Sequence, residues 1–199
     1  MQKKIIIFEG FGSAGKTTII KKLKNDLENE FRIEVLDSTH PDYASILFAD
    51  NKKVSIKKSK NMYFHSRWMS LFLFFNSIIN SDSELFFFDR GLLTNYIYGK
   101  IDGFPDYLLD ESVNDILNII KEKNLIYKTV FVACDLEVAN ARCTSRENID
   151  VDSKIRRNKM FEPYLKNVSD YYFIEDLAVI DASDTVLKDY ENLIQFIKE

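Results

Sequence analysis

The sequence predicts an α/β fold with three layers, in which a central parallel sheet of five strands is flanked by helices. Short, continuous apolar runs suit strands that are buried on both faces. Helical segments of about ten or more residues separate these runs, which is typical of βαβ units. The predicted strands are residues 4–8, 32–36, 85–88, 129–133 and 177–180. The predicted helices are residues 17–29, 61–80, 112–123, 153–172 and 185–198, and another that starts at residue 136.

Length and composition indicate one compact domain that spans residues 1–199. The net charge is −4 and no long basic tract is present, so we expect no nucleic acid polymer as a partner. The two cysteines, Cys134 and Cys143, are interpreted as reduced thiols of a cytoplasmic protein. The longest apolar stretch, residues 71–79, is interrupted by Asn76 and is too short to cross a bilayer, so we expect no membrane partner.

A glycine-rich segment follows the first predicted strand and matches the pattern G-x-x-x-x-G-K-[ST]. Its residues are Gly10, Phe11, Gly12, Ser13, Ala14, Gly15, Lys16 and Thr17. Glycines let backbone amides converge on phosphates, and the N-terminus of the following helix adds its positive dipole end. The simpler interpretation is a glycine turn before an ordinary helix, but the segment lies between a predicted buried strand and a helix, which is the context that the motif requires. We therefore predict a P-loop fold with strand order 2-3-1-4-5.

The predicted ligands of this loop are ATP and Mg²⁺. We expect Lys16 to contact the β- and γ-phosphates and the Thr17 hydroxyl to bind Mg²⁺. Mg²⁺ keeps several of its waters and needs few protein ligands. A dedicated cage of carboxylates is therefore not expected.

A charged pair, Asp89 and Arg90, comes directly after the third predicted strand. In open α/β sheets, ligands bind at the carboxyl ends of the strands. Asp89 is therefore a candidate to hold Mg²⁺ through water, and Arg90 is a candidate to bind a second phosphate. The alternative is a structural ion pair that closes the strand.

Arg67 interrupts the apolar sequence of the long predicted helix, residues 61–80, which we expect to be largely buried. Tyr63 and Phe64 lie four and three residues before it, so all three side chains share one face. A planar base can stack on one of these rings while the guanidinium binds its phosphate. Alternatively, the aromatic rings belong to the core and Arg67 extends to solvent.

A basic segment, residues 142–157, is a candidate for a lid over the phosphates. Arg142 and Arg146 are spaced i, i+4 on one predicted helix face. A cationic lid neutralises charge on the transferred phosphoryl group and excludes water. A solvated charged face is the alternative interpretation.

Taken together, these segments resemble the thymidylate kinases, which phosphorylate dTMP with ATP. The similarity runs from Phe8-Glu9-Gly10, through Gly15-Lys16-Thr17-Thr18, to Asp181-Ala182-Ser183. The sequence Tyr63-x-x-x-Arg67-Trp68 is similar to the segment of that family that carries a base-stacking aromatic residue and the acceptor-phosphate arginine. Asp89-Arg90, followed by Thr94 and Tyr98, is similar to the segment around the acceptor nucleotide. Arg142-x-x-x-Arg146 is similar to its lid.

The resemblance implies transfer of the γ-phosphoryl group of ATP to a nucleoside monophosphate, dTMP or a related deoxynucleotide. It implies catalytic roles for Lys16, Arg90, Arg142 and Arg146, donor binding by residues 10–18, and acceptor binding by Tyr63, Phe64, Arg67, Arg90, Thr94 and Tyr98. The partner is then a small nucleotide. The resemblance also implies a homodimer through the aromatic surface of the long helix, although burial within one domain explains that surface equally well.

Two alternatives stay open. One is a deoxynucleoside kinase, although His40 stands where such an enzyme usually has a carboxylate base. The other is a P-loop ATPase or regulatory module without kinase activity.

Overall fold

The computed structural model describes residues 2–37, 60–144, 158–159, 168–184 and 187–199 of the 199-residue chain. Within these ranges, the side chains of residues 37, 60–64 and 144 are not described. All statements below refer to this part of the chain.

The described strands form one five-stranded parallel sheet in the order β2-β3-β1-β4-β5, as predicted. The strands are β1 (Lys4–Glu9), β2 (Ile33–Asp37), β3 (Leu85–Asp89), β4 (Ile126–Ala133) and β5 (Leu177–Asp181). The side chains of β3 are buried along the whole strand, and those of β1 are buried from its second residue onward. Strands that are covered by helices on both faces are apolar without alternation, which explains why short apolar runs identified them.

Six described α-helices flank the sheet. They are α1 (Lys16–Leu27), α2 (Lys60–Ser77), α3 (Leu92–Asp102), α4 (Asp106–Glu122), α5 (Leu136–Thr144) and α6 (Tyr190–Lys198). Short 3₁₀ helices follow at Ile78–Asn80 and Val168–Asp170. No helix within the described ranges is both long enough and apolar enough to cross a membrane.

Several helix predictions were wrong. Helix α3 was not predicted, and α4 begins at Asp106 rather than at residue 112. The local signals were present: Gly103 ends α3 in the left-handed conformation, and Pro105, in an extended conformation, precedes the first turn of α4.

Two further helix limits also differ from the prediction. The last helix begins at Tyr190, because residues 187–189 form a loop and turn. Residues 168–172, the end of the predicted helix 153–172, form a 3₁₀ helix and a turn. Most of that predicted helix lies outside the described residues.

Aromatic side chains form much of the core on one side of the sheet. The Phe88 ring stacks on Phe75 with centroids 5.3 Å apart and meets Phe74 edge-on at 5.9 Å. All three side chains are buried. This packing fixes α2 against β3, the strand that ends in Asp89.

Helix α2 was expected to be largely buried, but one of its faces is exposed. Met69, Phe72 and Leu73 are 47%, 41% and 41% exposed. The spacing places these side chains on one stripe of the helix, opposite the buried Leu71, Phe74 and Phe75. The apolar composition of the helix did not distinguish its core face from this stripe.

We predict that Phe88→Ala lowers the free energy of unfolding by about 3–5 kcal/mol, because it leaves a cavity between β3 and α2. Urea denaturation followed by circular dichroism measures this change. The matched control is Tyr107→Ala, which truncates an aromatic side chain that is 72% exposed, and a change below about 0.5 kcal/mol is expected there. Equal losses in the two variants would contradict the assignment of Phe88 to the core.

Candidate functional site

The site lies at the carboxyl edge of the sheet, where β1 and β3 end side by side. The parallel register pairs Phe8 of β1 with Asp89 of β3. The glycine-rich loop therefore leaves β1 next to the point where the chain leaves β3. Two segments that are far apart in the sequence are brought together by this one pairing.

The loop between β1 and α1 adopts a conformation that depends on glycine at two positions. Gly10 has φ of 139° and Gly15 has φ of 107°, both in the region that L-residues rarely adopt. A Cβ atom on Gly10 would lie 2.4 Å from the carbonyl oxygen of Val132 on β4. The Thr18 and Ile19 amides bond back to the Gly15 carbonyl and begin α1.

Lys16 folds over this loop. Its ammonium group is buried and donates hydrogen bonds of 2.9 Å to the carbonyl oxygens of Gly10 and Phe11. These bonds hold a positive charge at the mouth of the loop. The ammonium group of Lys16 can therefore meet a bound anion without a large rearrangement of the backbone.

The Thr17 hydroxyl donates a 2.5 Å hydrogen bond to Oδ2 of Asp89. Thr17 is exposed, whereas Asp89 is buried at the end of β3. Hydroxyl and carboxylate oxygens are the hard ligands that Mg²⁺ prefers, so both residues predicted to bind the metal fit it. No group of three or more His, Cys, Asp or Glu side chains suitable for a metal was found within the described ranges.

The backbone of Arg90 is held in an unusual conformation. Its φ is 75°, an unusual value for a residue with a side chain, and its amide donates a 3.0 Å bond to the Phe8 carbonyl. Next to it, the Glu9 carboxylate accepts bonds from the Gly91 and Leu93 amides. Sequence analysis assigned no role to Glu9, although a charged residue that ends a buried apolar strand was a signal.

Thr94, a predicted acceptor residue, is fully buried on α3. Its hydroxyl donates a hydrogen bond to Oε2 of Glu9. Its described contact is thus within the protein, and contact with a ligand remains a prediction.

Arg67 of α2 and Tyr98 of α3, which were both assigned to the acceptor site, are in contact. The guanidinium carbon of Arg67 lies 4.7 Å from the centroid of the Tyr98 ring, a cation–π contact. Arg67 is buried, so the alternative that it extends to solvent is wrong. The side chains of Tyr63 and Phe64 lie outside the described part of the chain, and their predicted stacking on a base remains a prediction.

Asn95 is a buried polar residue that sequence analysis missed. It is 3% exposed, and neither Nδ2 nor Oδ1 of its side chain has a hydrogen-bond partner among the described residues. It lies three residues before Tyr98 on α3, so the two side chains share a face of the helix. A side-chain amide offers both a donor and an acceptor, as the edge of a nucleobase does.

Arg142 lies beside the glycine-rich loop. Its guanidinium donates to the carbonyl oxygens of Ala14 and Ser183, at 3.3 Å in each case. The predicted lid begins at this residue, and the role of Arg142 over the phosphates remains a prediction. Arg146 and the rest of the lid, residues 145–157, lie outside the described residues.

Comparison with models of known protein families gives no match, and comparison with curated proteins also gives none. Among solved structures, the chain is similar to the YorR protein of Bacillus subtilis, whose crystal structure was determined in complex with phosphorylated GDP. The two chains are 20% identical, the TM-score is 0.58, and the match covers 98% of this chain and 93% of YorR. The similarity shows that the two chains share a fold.

We predict that Gly10→Ala destabilises the protein by at least about 3 kcal/mol, since the new methyl group combines backbone strain with overlap at the Val132 carbonyl. Gly103→Ala is the matched control. Its φ is 84°, but no heavy atom lies within 4 Å of the added Cβ, so only the strain of about 1–2 kcal/mol is expected. Denaturation curves measure both changes, and a smaller loss for Gly10→Ala than for Gly103→Ala would contradict the close approach to β4.

Proposed function

We propose that this chain is an ATP-dependent nucleoside monophosphate kinase of the thymidylate kinase type. The observation that carries the proposal is the pairing of β1 with β3, which brings the Lys16 loop next to Asp89 and Arg90. The Thr17–Asp89 hydrogen bond joins the two segments directly. One side of the site then suits a triphosphate, and the other offers cations for a second phosphate.

The donor half uses the backbone amides of residues 10–18, the N-terminus of α1 and the Lys16 ammonium group. These groups bind the phosphates and hold the transferred phosphoryl group in place. Arg142 fixes the outer side of the loop through the Ala14 carbonyl. Thr17 and Asp89 would hold Mg²⁺, which neutralises charge on the phosphates when it is bound.

The acceptor half uses Arg90, Arg67 and Tyr98. Guanidinium groups bind phosphate oxygens in a bidentate manner, and the contact with the Tyr98 ring orients the Arg67 group. Asn95, on the same face of α3 as Tyr98, is suited to read a base edge. The proposed acceptor is dTMP or a related deoxynucleotide.

The proposed reaction needs no strong general base. An oxygen of the acceptor phosphate, already an anion, attacks the γ-phosphorus of ATP, and the bond to the β–γ bridging oxygen breaks. The products are a nucleoside diphosphate and ADP. Positioning and neutralisation of charge by Lys16, Arg90 and the lid arginines supply the catalysis, and positioning alone can be worth roughly 7–11 kcal/mol.

A screen of acceptors with ATP and Mg²⁺ tests the proposal. The arms are dTMP, the other common nucleoside and deoxynucleoside monophosphates, and thymidine, and the readout is ADP formation with identification of the product. GMP and dGMP are included because YorR was crystallised with a guanine nucleotide. Transfer to a monophosphate is expected. Transfer to thymidine alone would show a nucleoside kinase. ATP hydrolysis at the same rate with and without each acceptor would show an ATPase.

We predict that Lys16→Ala lowers kcat/KM by at least about 100-fold, because the transferred phosphoryl group loses its main protein cation. The control is Lys21→Ala, an exposed lysine on the same helix, which is expected to keep wild-type kinetics. Circular dichroism should show that both variants are folded. A Lys16→Ala enzyme with the wild-type rate would overturn the mechanism.

A homodimer and a cytoplasmic location are also part of this proposal. The exposed stripe of α2, formed by Met69, Phe72 and Leu73, is the surface that a second copy would cover, since a two-fold axis pairs one patch with itself. The two free thiols support a reducing compartment.

We predict that Phe72→Glu converts the dimer to a monomer, because it places a charge in an apolar interface. Analytical ultracentrifugation of the wild type and the variant measures the change. Tyr107→Glu, which alters an exposed aromatic residue elsewhere, should leave the dimer intact. A monomeric wild type would contradict this part of the proposal.

A further inference from the structure

Glu9 is a buried carboxylate at the end of β1, between the glycine-rich loop and α3. It is 1% exposed, and its side chain bonds to the segment that follows β3. We propose that Glu9 is a positioning residue, which holds Arg90 and the start of α3 in the geometry needed for the acceptor phosphate. This inference rests on the function proposed above.

Donors surround the carboxylate. Oε1 accepts from the amides of Gly91 at 2.9 Å and Leu93 at 3.0 Å. Oε2 accepts from the Thr94 amide at 3.2 Å and from the Thr94 hydroxyl at 2.5 Å. An ionised carboxylate only accepts hydrogen bonds, so its two oxygens match this set, and the N-terminus of a helix favours an anion.

Burial and the polar contacts act on the pKa of Glu9 in opposite directions, and burial has the larger effect, so the pKa is raised. Burial raises the pKa of Glu9, while the hydrogen bonds from Thr94 and the charges of Arg90 and Lys16 act in the opposite direction. The Thr94 hydroxyl can both donate and accept, so it can stay paired with Oε2 in either protonation state of Glu9. The bonds from the Gly91 and Leu93 amides use Oε1 and can also form in either state, so the contact with the segment after β3 does not depend on the charge of Glu9.

Gly91 shows how closely this segment approaches β1. A Cβ atom on Gly91 would lie 2.6 Å from Cγ2 and 2.8 Å from Cδ1 of Ile7, and 3.4 Å from Oε1 of Glu9. The backbone thus rests directly on the strand that carries Glu9. Only a residue without a side chain permits this contact without displacement of Ile7.

Hydrogen bonds on both sides of Arg90 hold its backbone at the unusual φ of 75°. On one side its own amide bonds to the Phe8 carbonyl, and on the other the Gly91 amide bonds to Glu9. A non-glycine residue stays in the left-handed region only where its surroundings hold it. The two bonds come from consecutive residues of one strand and fix the point from which the Arg90 side chain leaves the backbone.

The same strand end fixes the donor side, because Gly10 follows Glu9 directly. The Gly10 carbonyl accepts from Lys16, and the Glu9 carboxylate accepts from the acceptor segment. Adjacent residues thus set the positions of the two cations, Lys16 and Arg90, relative to each other. In-line transfer is sensitive to this distance, since a displacement of about 1 Å can cost roughly 100-fold in rate.

The experiment compares Glu9→Gln with the wild type and with Thr129→Ala. The glutamine keeps the shape but replaces one acceptor oxygen with an NH₂ donor. Thr129 is equally buried, on the neighbouring strand β4 opposite Ile7, and its described side-chain hydrogen bond goes to Tyr127 rather than to the segment after β3, so its truncation reports the effect of lost stability. Each protein is studied at the same interval below its own melting temperature.

Three measurements are made: amide hydrogen exchange of residues 89–96 by mass spectrometry, ATP binding for its Kd, and steady-state kinetics for kcat and KM of the acceptor. In Glu9→Gln we expect faster exchange in that segment and a fall in acceptor kcat/KM of about 100-fold, with the Kd of ATP changed by less than about threefold. In Thr129→Ala we expect wild-type exchange in residues 89–96 and a wild-type acceptor KM.

Two results would overturn the inference: unchanged exchange and acceptor kinetics in Glu9→Gln, or losses of the same size in Thr129→Ala. Failure of the proposed function looks different, since the wild type would then transfer no phosphoryl group to any monophosphate. In that case hydrogen exchange decides whether Glu9 holds the Arg90 segment, because this readout needs neither substrate nor turnover.

Discussion

The parallel pairing of β1 with β3 is the constraint on which the rest of the site depends. It places Phe8 opposite Asp89, so the glycine-rich loop and the Asp89–Arg90 turn leave the sheet side by side. The Thr17–Asp89 hydrogen bond and the bond from the Arg90 amide to Phe8 both follow from that register. The aromatic packing of α2 against β3 holds the register from one face, and α1 covers the other.

The charged groups of the site have partners within the protein. Lys16 bonds to loop carbonyls, Glu9 to the start of α3, Arg67 contacts the Tyr98 ring, and Arg142 bonds to Ala14. Such contacts offset the cost of burying charge. Under the proposed function, these contacts also hold each group near the position in which it would act, which is the basis of electrostatic preorganisation.

Sequence analysis identified most of the fold because its signals are local. A buried parallel strand requires a short apolar run, and the glycine-rich loop requires its glycines, as the φ values of Gly10 and Gly15 show. Helix α3 was missed because its apolar residues give no clear amphipathic stripe, since it is buried on nearly all sides. The exposed stripe of α2 was missed because the outer residues of this helix are as apolar as its inner ones.

By itself, the sequence determined the α/β class and the glycine-rich loop, since their signals lie in short continuous segments. The strand order was predicted from the P-loop pattern and is confirmed by the sheet. Only the tertiary structure decided which distant residues meet: Thr17 with Asp89, Glu9 with Gly91 and Thr94, and Arg67 with Tyr98. The role of Glu9 belongs to this second class. Its partners lie more than 80 residues away in the chain, and only the β1–β3 pairing brings them within hydrogen-bond distance.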